Sequence, residues 1–256
     1  MNVLTDPHPA RGGRVVLVGG GPGAEDLITV RGYRALMAAD VVVADRLGPT
    51  GLLDDLPERA EVIDVGKAPG AHTATQDEIN TLLVEQARRG RYVVRLKGGD
   101  GFLFGRGGEE VAACRAHGIP VEVVPGVSSA LAAPAAGGIP VTHRGLADGA
   151  LIVHGHRPIA PTSWATLAAG STTMVMLMAV AGLADHVADA LAAGVDPLLP
   201  AAIVERGSLP SERVTYATLA ELPEVAETAG IRAPAVIVLG AVAAADVLLA
   251  RVACAS

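Results

Sequence analysis

Residues 95–110 read RLKGGDGFLFGRGGEE, and this stretch limits the possible fold more than any other. Six of its sixteen residues are glycine: Gly98, Gly99, Gly101, Gly105, Gly107 and Gly108. Phe102 and Phe104 are the only phenylalanines in the chain, and Arg95, Lys97 and Arg106 stand against Asp100, Glu109 and Glu110. Glycine at this density costs backbone entropy on folding. A chain tolerates that cost where its backbone bends sharply or lies against a ligand. The preceding run, 92–96, has the composition of a strand; the following run, 108–117, that of a helix ended by Gly118. A glycine-rich loop leaving a strand and entering a helix is where open α/β sheets bind ligands. The competing reading is a flexible surface loop. Two buried-type aromatics and clustered charge argue against it.

The same alternation recurs along the chain. Strands are predicted at 14–18, 41–43, 62–65, 92–96 and 121–124, each running into a glycine-, proline- or charge-rich turn. A helix follows the first turn, with Leu27, Val30, Tyr33 and Met37 at helical spacing. Thr75 to Glu78 forms a capping box before a second helix, which Gly90 ends. Alternating strands and helices mean βαβ units and a mainly parallel sheet. The small-residue stretch 130–138 suits a junction between domains. Beyond it, strands are predicted at 150–154, 172–178, 201–204, 213–216 and 233–239, with helices at 181–193 and at the C-terminus. The expected organisation is a flexible arm over 1–13, an α/β domain over 14–138 and a second over 139–256.

Composition removes several function classes. The net charge of −7 disfavours nonspecific attraction to nucleic acid or anionic lipid. Scarce aromatics argue against stacking platforms for bases. Two cysteines, Cys114 and Cys254, make neither a disulfide framework nor a metal cluster. The most apolar run, 174–183, is too short to span a bilayer, and the N-terminus shows no apolar signal core. These features lead to an expected cytoplasmic protein without a membrane or nucleic-acid partner.

Several motifs admit two readings from the residues alone. Gly19-x-Gly21-x-x-Ala24 matches a loose dinucleotide fingerprint. Pro22 lacks the amide that a pyrophosphate would seek, so a phosphate-free ligand or a plain tight turn fits equally. Asp45 and Arg46 end one predicted strand and Lys67 another; each is either a site residue or a surface charge. His143 and the alternating pair His154 and His156 are metal candidates, but the pair lacks a third ligand at sensible spacing, so no metal site is expected. Met174, Met176 and Met178 alternate as core residues of a strand do, with Met178 near enough to the strand end to touch a ligand.

Taken in order, VGGGPG (18–23), ADVVVADRL (39–47), VGK (65–67), QDEIN (76–80), VVRLKGGDGFLFGRGGEE (93–110), GIPVEVVPGVSSA (118–130), GIPVTHRGLA (138–147), VERGSLPSERV (204–214) and PAVIVLG (234–240) resemble the tetrapyrrole (precorrin) methyltransferases. Within that family the likeness is to the branch that methylates uroporphyrinogen III. The resemblance implies two α/β domains with mainly parallel sheets and an S-adenosylmethionine cleft between them. It implies a homodimer in the monofunctional form, without the dehydrogenase and ferrochelatase module of siroheme synthase. The implied reaction is methylation of uroporphyrinogen III at C2 and then C7, giving precorrin-2 via precorrin-1 and leaving S-adenosylhomocysteine, in porphyrin, cobalamin and siroheme biosynthesis. The alternative is a methyltransferase of the same family acting on a later precorrin or another substrate.

By the same resemblance, cofactor contacts fall on Pro22, Gly98, Gly99, Asp100, Leu103, Ser128, Ser129, Met178 and Gly207. The proton acceptor falls on Asp45 and the proton donor on Lys67. Arg46, Lys97, Arg106 and Arg144 are expected to meet the substrate carboxylates. The chain departs from the family pattern at Gly101, where the family has proline; at Leu177 and Ala179, flanking Met178; and at Ser128-Ser129, where the family has Thr-Ala.

Overall fold

The computed structural model describes residues 12–45, 48–66 and 74–245. The expected N-terminal arm, Arg46, Lys67 and the expected C-terminal helix lie wholly or largely outside these residues. The chain divides after Ser128 into two units.

In the first unit, short runs rich in Val, Leu and Ile form five strands: β1 (Arg14–Gly19), β2 (Val41–Ala44), β3 (Glu61–Asp64), β4 (Tyr92–Lys97) and β5 (Val121–Val124). Their order is β3-β2-β4-β1-β5, and every pairing is parallel. Parallel sheets are covered on both faces, and the side chains divide accordingly. Val16, Val18, Val42, Ala44, Val94 and Leu96 pack with Ala35 and Leu36 of α1 (Val30–Met37). Val15, Leu17, Val41, Val43 and Val93 pack with Leu83 and Val84 of α2 (Gln76–Arg88) and with Val111 and Cys114 of α3 (Gly107–Ala116). The capping box on α2 is present: Thr75 Oγ1 accepts from Glu78 N, and Glu78 accepts from Thr75 N.

The first helix differs from its expected form. It begins at Val30, behind a Thr29 cap and a short 3-10 turn. Val30 and Tyr33 are exposed, and the buried face consists of Gly32, Ala35 and Leu36. Small residues win this face because the helix lies close to β1: a Cβ on Gly32 would sit 2.9 Å from Val18 Cγ1.

The second unit holds β6 (Gly149–His154), β7 (Thr172–Leu177), β8 (Pro200–Glu205), β9 (Arg213–Thr218) and β10 (Ala235–Leu239), ordered β6-β7-β10-β8-β9. Only β6 and β7 run parallel; the other three pairings are antiparallel. Across both sheets parallel pairings predominate, as expected, but the second sheet is mixed rather than mainly parallel. One face buries Met174, Met176, Ile203 and Ile237 beneath Trp164, Leu167, Leu183, Val187 and Leu222. The expected junction stretch is a helix instead, α4 (Ser129–Ala136), lying against β7, β8 and β10.

Candidate functional site

Three loops leave the carboxyl ends of the adjacent strands β4, β1 and β5 and pack backbone against backbone. Gly20 N donates to Lys97 O at 2.7 Å. Gly21 and Gly99 exchange both amide bonds, at 3.1 and 2.6 Å. A Cβ on Gly126 would lie 2.3 Å from Gly99 O and 2.5 Å from the Gly19 carbonyl carbon. Glycine is therefore required at 126 by close approach. Asp100 ties the loops together: its Oδ1 accepts from Phe102 N at 2.8 Å and its Oδ2 from Gly126 N at 3.0 Å.

Beyond Asp100 the chain turns back on itself, with Gly107 N donating to Gly101 O at 3.0 Å. Phe104 and Arg106 adopt left-handed backbone, at φ 55° and 59°. In the second unit Met178, Arg206 and Ser208 do the same, just past β7 and β8. Such residues cost about 1–3 kcal/mol each and collect at functional sites. Among the described residues, all five non-glycine cases follow the carboxyl end of a strand. Phe102, Phe104 and Met178 also hold their apolar side chains exposed.

A buried charge network lies beside these loops. Arg95 and Lys97 point to the α2/α3 face of β4, only 3% and 4% exposed. Glu110, on α3, is 0% exposed, and its Oε1 accepts from Arg95 Nε and Lys97 Nζ, each at 3.0 Å. Arg95 also donates through Nη1 to the carbonyls of Leu96 (2.8 Å) and Val43 (3.3 Å), and through Nη2 to Asp45 Oδ2 at 3.1 Å. Burial pushes the Lys97 ammonium below its ordinary pKa, Arg95 adds to that, and Glu110 opposes it.

Within the first unit the structure brings several expected site residues together. Pro22, Gly98, Gly99, Asp100 and Leu103 all lie in the converging loops, half-buried. Ser128 ends the first unit, and Ser129 opens α4. Met178 stands exposed at the end of β7. Gly207 is accounted for by packing, since a Cβ there would lie 2.6 Å from Ala133 Cβ on α4. Ala179 is buried against Gly155, and His186 Nε2 donates to Gly155 O at 3.0 Å.

Among the expected substrate cations, Arg144 is exposed. Arg106 is exposed and grips Glu109 through two 2.8 Å bonds, which raise the arginine's pKa and lower the glutamate's. Exposed pairs of this kind exchange readily with water or another carboxylate. Lys97 requires correction: its ammonium is enclosed and committed to Glu110, so it is not presented to a substrate. Asp45 is half-buried, with its side chain 23% exposed. Arg95 and Glu110 went unrecognised in the sequence. The available signal was two cations spaced i, i+2 on one strand face, followed by an acid one turn into the next helix. No group of potential metal ligands occurs among the described residues.

Residues 14–223 match the family described as Tetrapyrrole (Corrin/Porphyrin) Methylases. The chain belongs to this family. It is 45% identical over 234 residues to an S-adenosyl-L-methionine-dependent uroporphyrinogen III methyltransferase from Methanosarcina barkeri, covering 89% of this chain and 91% of that one. A crystal structure of uroporphyrin-III C-methyl transferase from Thermus thermophilus, complexed with S-adenosylhomocysteine, is 44% identical and superposes with a TM-score of 0.77. That match covers 90% of this chain and 98% of the other. A siroheme synthase from Tolumonas auensis is 46% identical over 93% of this chain, which spans only 51% of that longer protein.

This tetrapyrrole methylase fits S-adenosylmethionine by the chemistry of its loops. Pro22 offers no amide, and the Asp100 carboxylate stands among the glycines; both disfavour a pyrophosphate. A loop without side chains at Gly98 and Gly99, beside the exposed rings of Phe102 and Phe104, is compatible with a nucleoside that carries no phosphate.

Proposed function

We propose that the chain catalyses S-adenosylmethionine-dependent C-methylation of uroporphyrinogen III, at C2 and then C7, giving precorrin-2 via precorrin-1. The observation that carries this reading is identity of 45% spanning nearly the full length of a relative named as an S-adenosyl-L-methionine-dependent uroporphyrinogen III methyltransferase. S-adenosylmethionine supplies an electrophilic methyl group on a sulfonium, so activation requires no metal. The glycine loops and Asp100 hold the cofactor beside the strand ends. Alignment of a bound pair contributes about 7–11 kcal/mol of barrier lowering when the geometry is right.

C-methylation of a pyrrole ring releases and returns protons, a task for positioned acid and base groups. Asp45 takes the role of acceptor and Lys67 that of donor. Arg46, Arg106 and Arg144 receive the substrate carboxylates; Arg106 does so by releasing Glu109. Ser128, Ser129, Met178 and Gly207 complete the cofactor contacts, and the working form is a cytoplasmic homodimer. Among the described residues, no helix is long and apolar enough to cross a membrane.

Transfer of label from methyl-labelled S-adenosylmethionine to uroporphyrinogen III, under anaerobic conditions, tests the reading. Labelled tetrapyrrole supports it. Unlabelled tetrapyrrole, from protein that still binds S-adenosylhomocysteine, refutes the substrate while leaving the cofactor in place.

A further inference from the structure

We propose that Arg95 is a positioning residue for Asp45, with Glu110 as its buried anchor. The proposal rests on the reading of Asp45 as proton acceptor. The guanidinium spans three elements at once. Nε binds Glu110 on α3, Nη1 binds two main-chain carbonyls on β2 and β4, and Nη2 binds Asp45 at the end of β2. A planar fork can satisfy all of these together; a lysine ammonium, a point charge, cannot.

Among the described residues, four polar groups are joined to Arg95 directly or through Glu110. Asp45 faces it from the end of β2, Lys97 from β4 and Glu110 from α3, and Gln76 of α2 donates to Glu110 Oε1 at 3.4 Å. Two cations oppose two carboxylates. Among the described residues, the Glu110 side chain makes all its hydrogen bonds through Oε1, while Oε2 is buried without a partner. The carboxylate is thus turned towards both cations, and it anchors Arg95 at Nε while Nη2 holds Asp45. Asp45 alone of the four charged groups is substantially open to solvent. Among these four, the group open to solvent is therefore the one that would meet substrate. The network's other end is α3, whose first residue, Gly107, closes the glycine-rich loop onto Gly101 O. One ion network thus ties the acceptor to the loop that holds the cofactor.

The test is a double-mutant cycle on methylation rate with R95K, D45N and the double variant, alongside calorimetric affinity for S-adenosylhomocysteine. R95K is expected to lower kcat by about tenfold to a hundredfold, the size of a small misplacement at a reacting centre. Cofactor affinity should stay within about twofold, the scatter of independent sites. On the D45N background, R95K should slow the enzyme by no more than about that same factor. An equal loss on both backgrounds, or R95K at the wild-type rate, overturns the proposal. If R95K fails to melt cooperatively, E110Q takes its place in the cycle; it keeps an oxygen for Arg95 but removes the charge. D45N at full rate overturns the acceptor reading itself, and the proposal with it. A slow D45N with an additive R95K overturns the positioning alone.

Discussion

Removing the Asp100 carboxylate tests whether the three loops act as one cradle. Asp100→Ala deletes the acceptor of two amides, Phe102 N at 2.8 Å and Gly126 N at 3.0 Å. Hydrogen bonds to a charged group contribute about 1.5–3 kcal/mol each. The Phe102 bond is solvent-exposed and belongs at or below the low end; the Gly126 bond is partly buried. The combined loss is about 2–4 kcal/mol. For a protein of this size that lowers Tm by about 5–15 °C. The loosened loop must then be re-ordered on binding, which should appear as a ten- to hundredfold weaker Kd for S-adenosylhomocysteine, about 1.4–2.8 kcal/mol. Asp100→Asn keeps one carbonyl acceptor but turns an NH2 group towards the second amide, so it should fall between Asp100→Ala and wild type. Calorimetric titration and thermal melting read both quantities. Wild-type affinity in Asp100→Ala, with Tm unchanged, would refute the reasoning: neither bond would then hold the cradle.

Other perturbations reach different parts of the account. Gly126→Ala places a Cβ 2.3 Å from a carbonyl oxygen, so stability should fall by about 1–3 kcal/mol in chemical denaturation; an unchanged denaturation midpoint would contradict the loop packing. Arg144→Ala should raise KM for the tetrapyrrole by about two- to fivefold, the effect of one exposed ion pair, and leave S-adenosylhomocysteine affinity unaltered; the reverse pattern would move Arg144 to the cofactor side. Burial pushes the Cys114 thiol up to about 11, while an unfolded cysteine ionises at about 8.5. The unfolded chain therefore loses this proton first: the stabilisation is complete below the unfolded value and is lost as pH rises towards 11. Urea midpoints of wild type and Cys114→Ala should accordingly converge between pH 8 and pH 10; a constant gap would contradict the shift.

Much of the strand framework was legible because each strand is a short apolar run stopped by glycine, proline or charge. The glycine-rich loop was legible as a candidate site for the same reason: its composition has no use in a regular element. Illegibility has specific physical causes. On α1, large side chains suggest a buried stripe at Val30 and Tyr33. The helix instead sits so close to β1 that only Gly32, Ala35 and Leu36 fit beneath it. Helix α4 has five Ala among its eight residues and a proline inside, so it carries little periodicity to separate it from a linker. The antiparallel pairings of the second sheet depend on which strands become neighbours, and a single strand's pattern does not encode that. Lys97 looked available to substrate because its partner, Glu110, reaches it only once α3 has folded over β4.

Product analysis tests the central claim most directly. The protein is incubated anaerobically with uroporphyrinogen III and S-adenosylmethionine carrying a 13C methyl group, and the product is examined by mass spectrometry and 13C NMR. The account predicts a tetrapyrrole heavier by two labelled methyl groups, each bonded to ring carbon, with S-adenosylhomocysteine released in step. A tetrapyrrole recovered unmethylated, or labelled on oxygen or nitrogen, would contradict it.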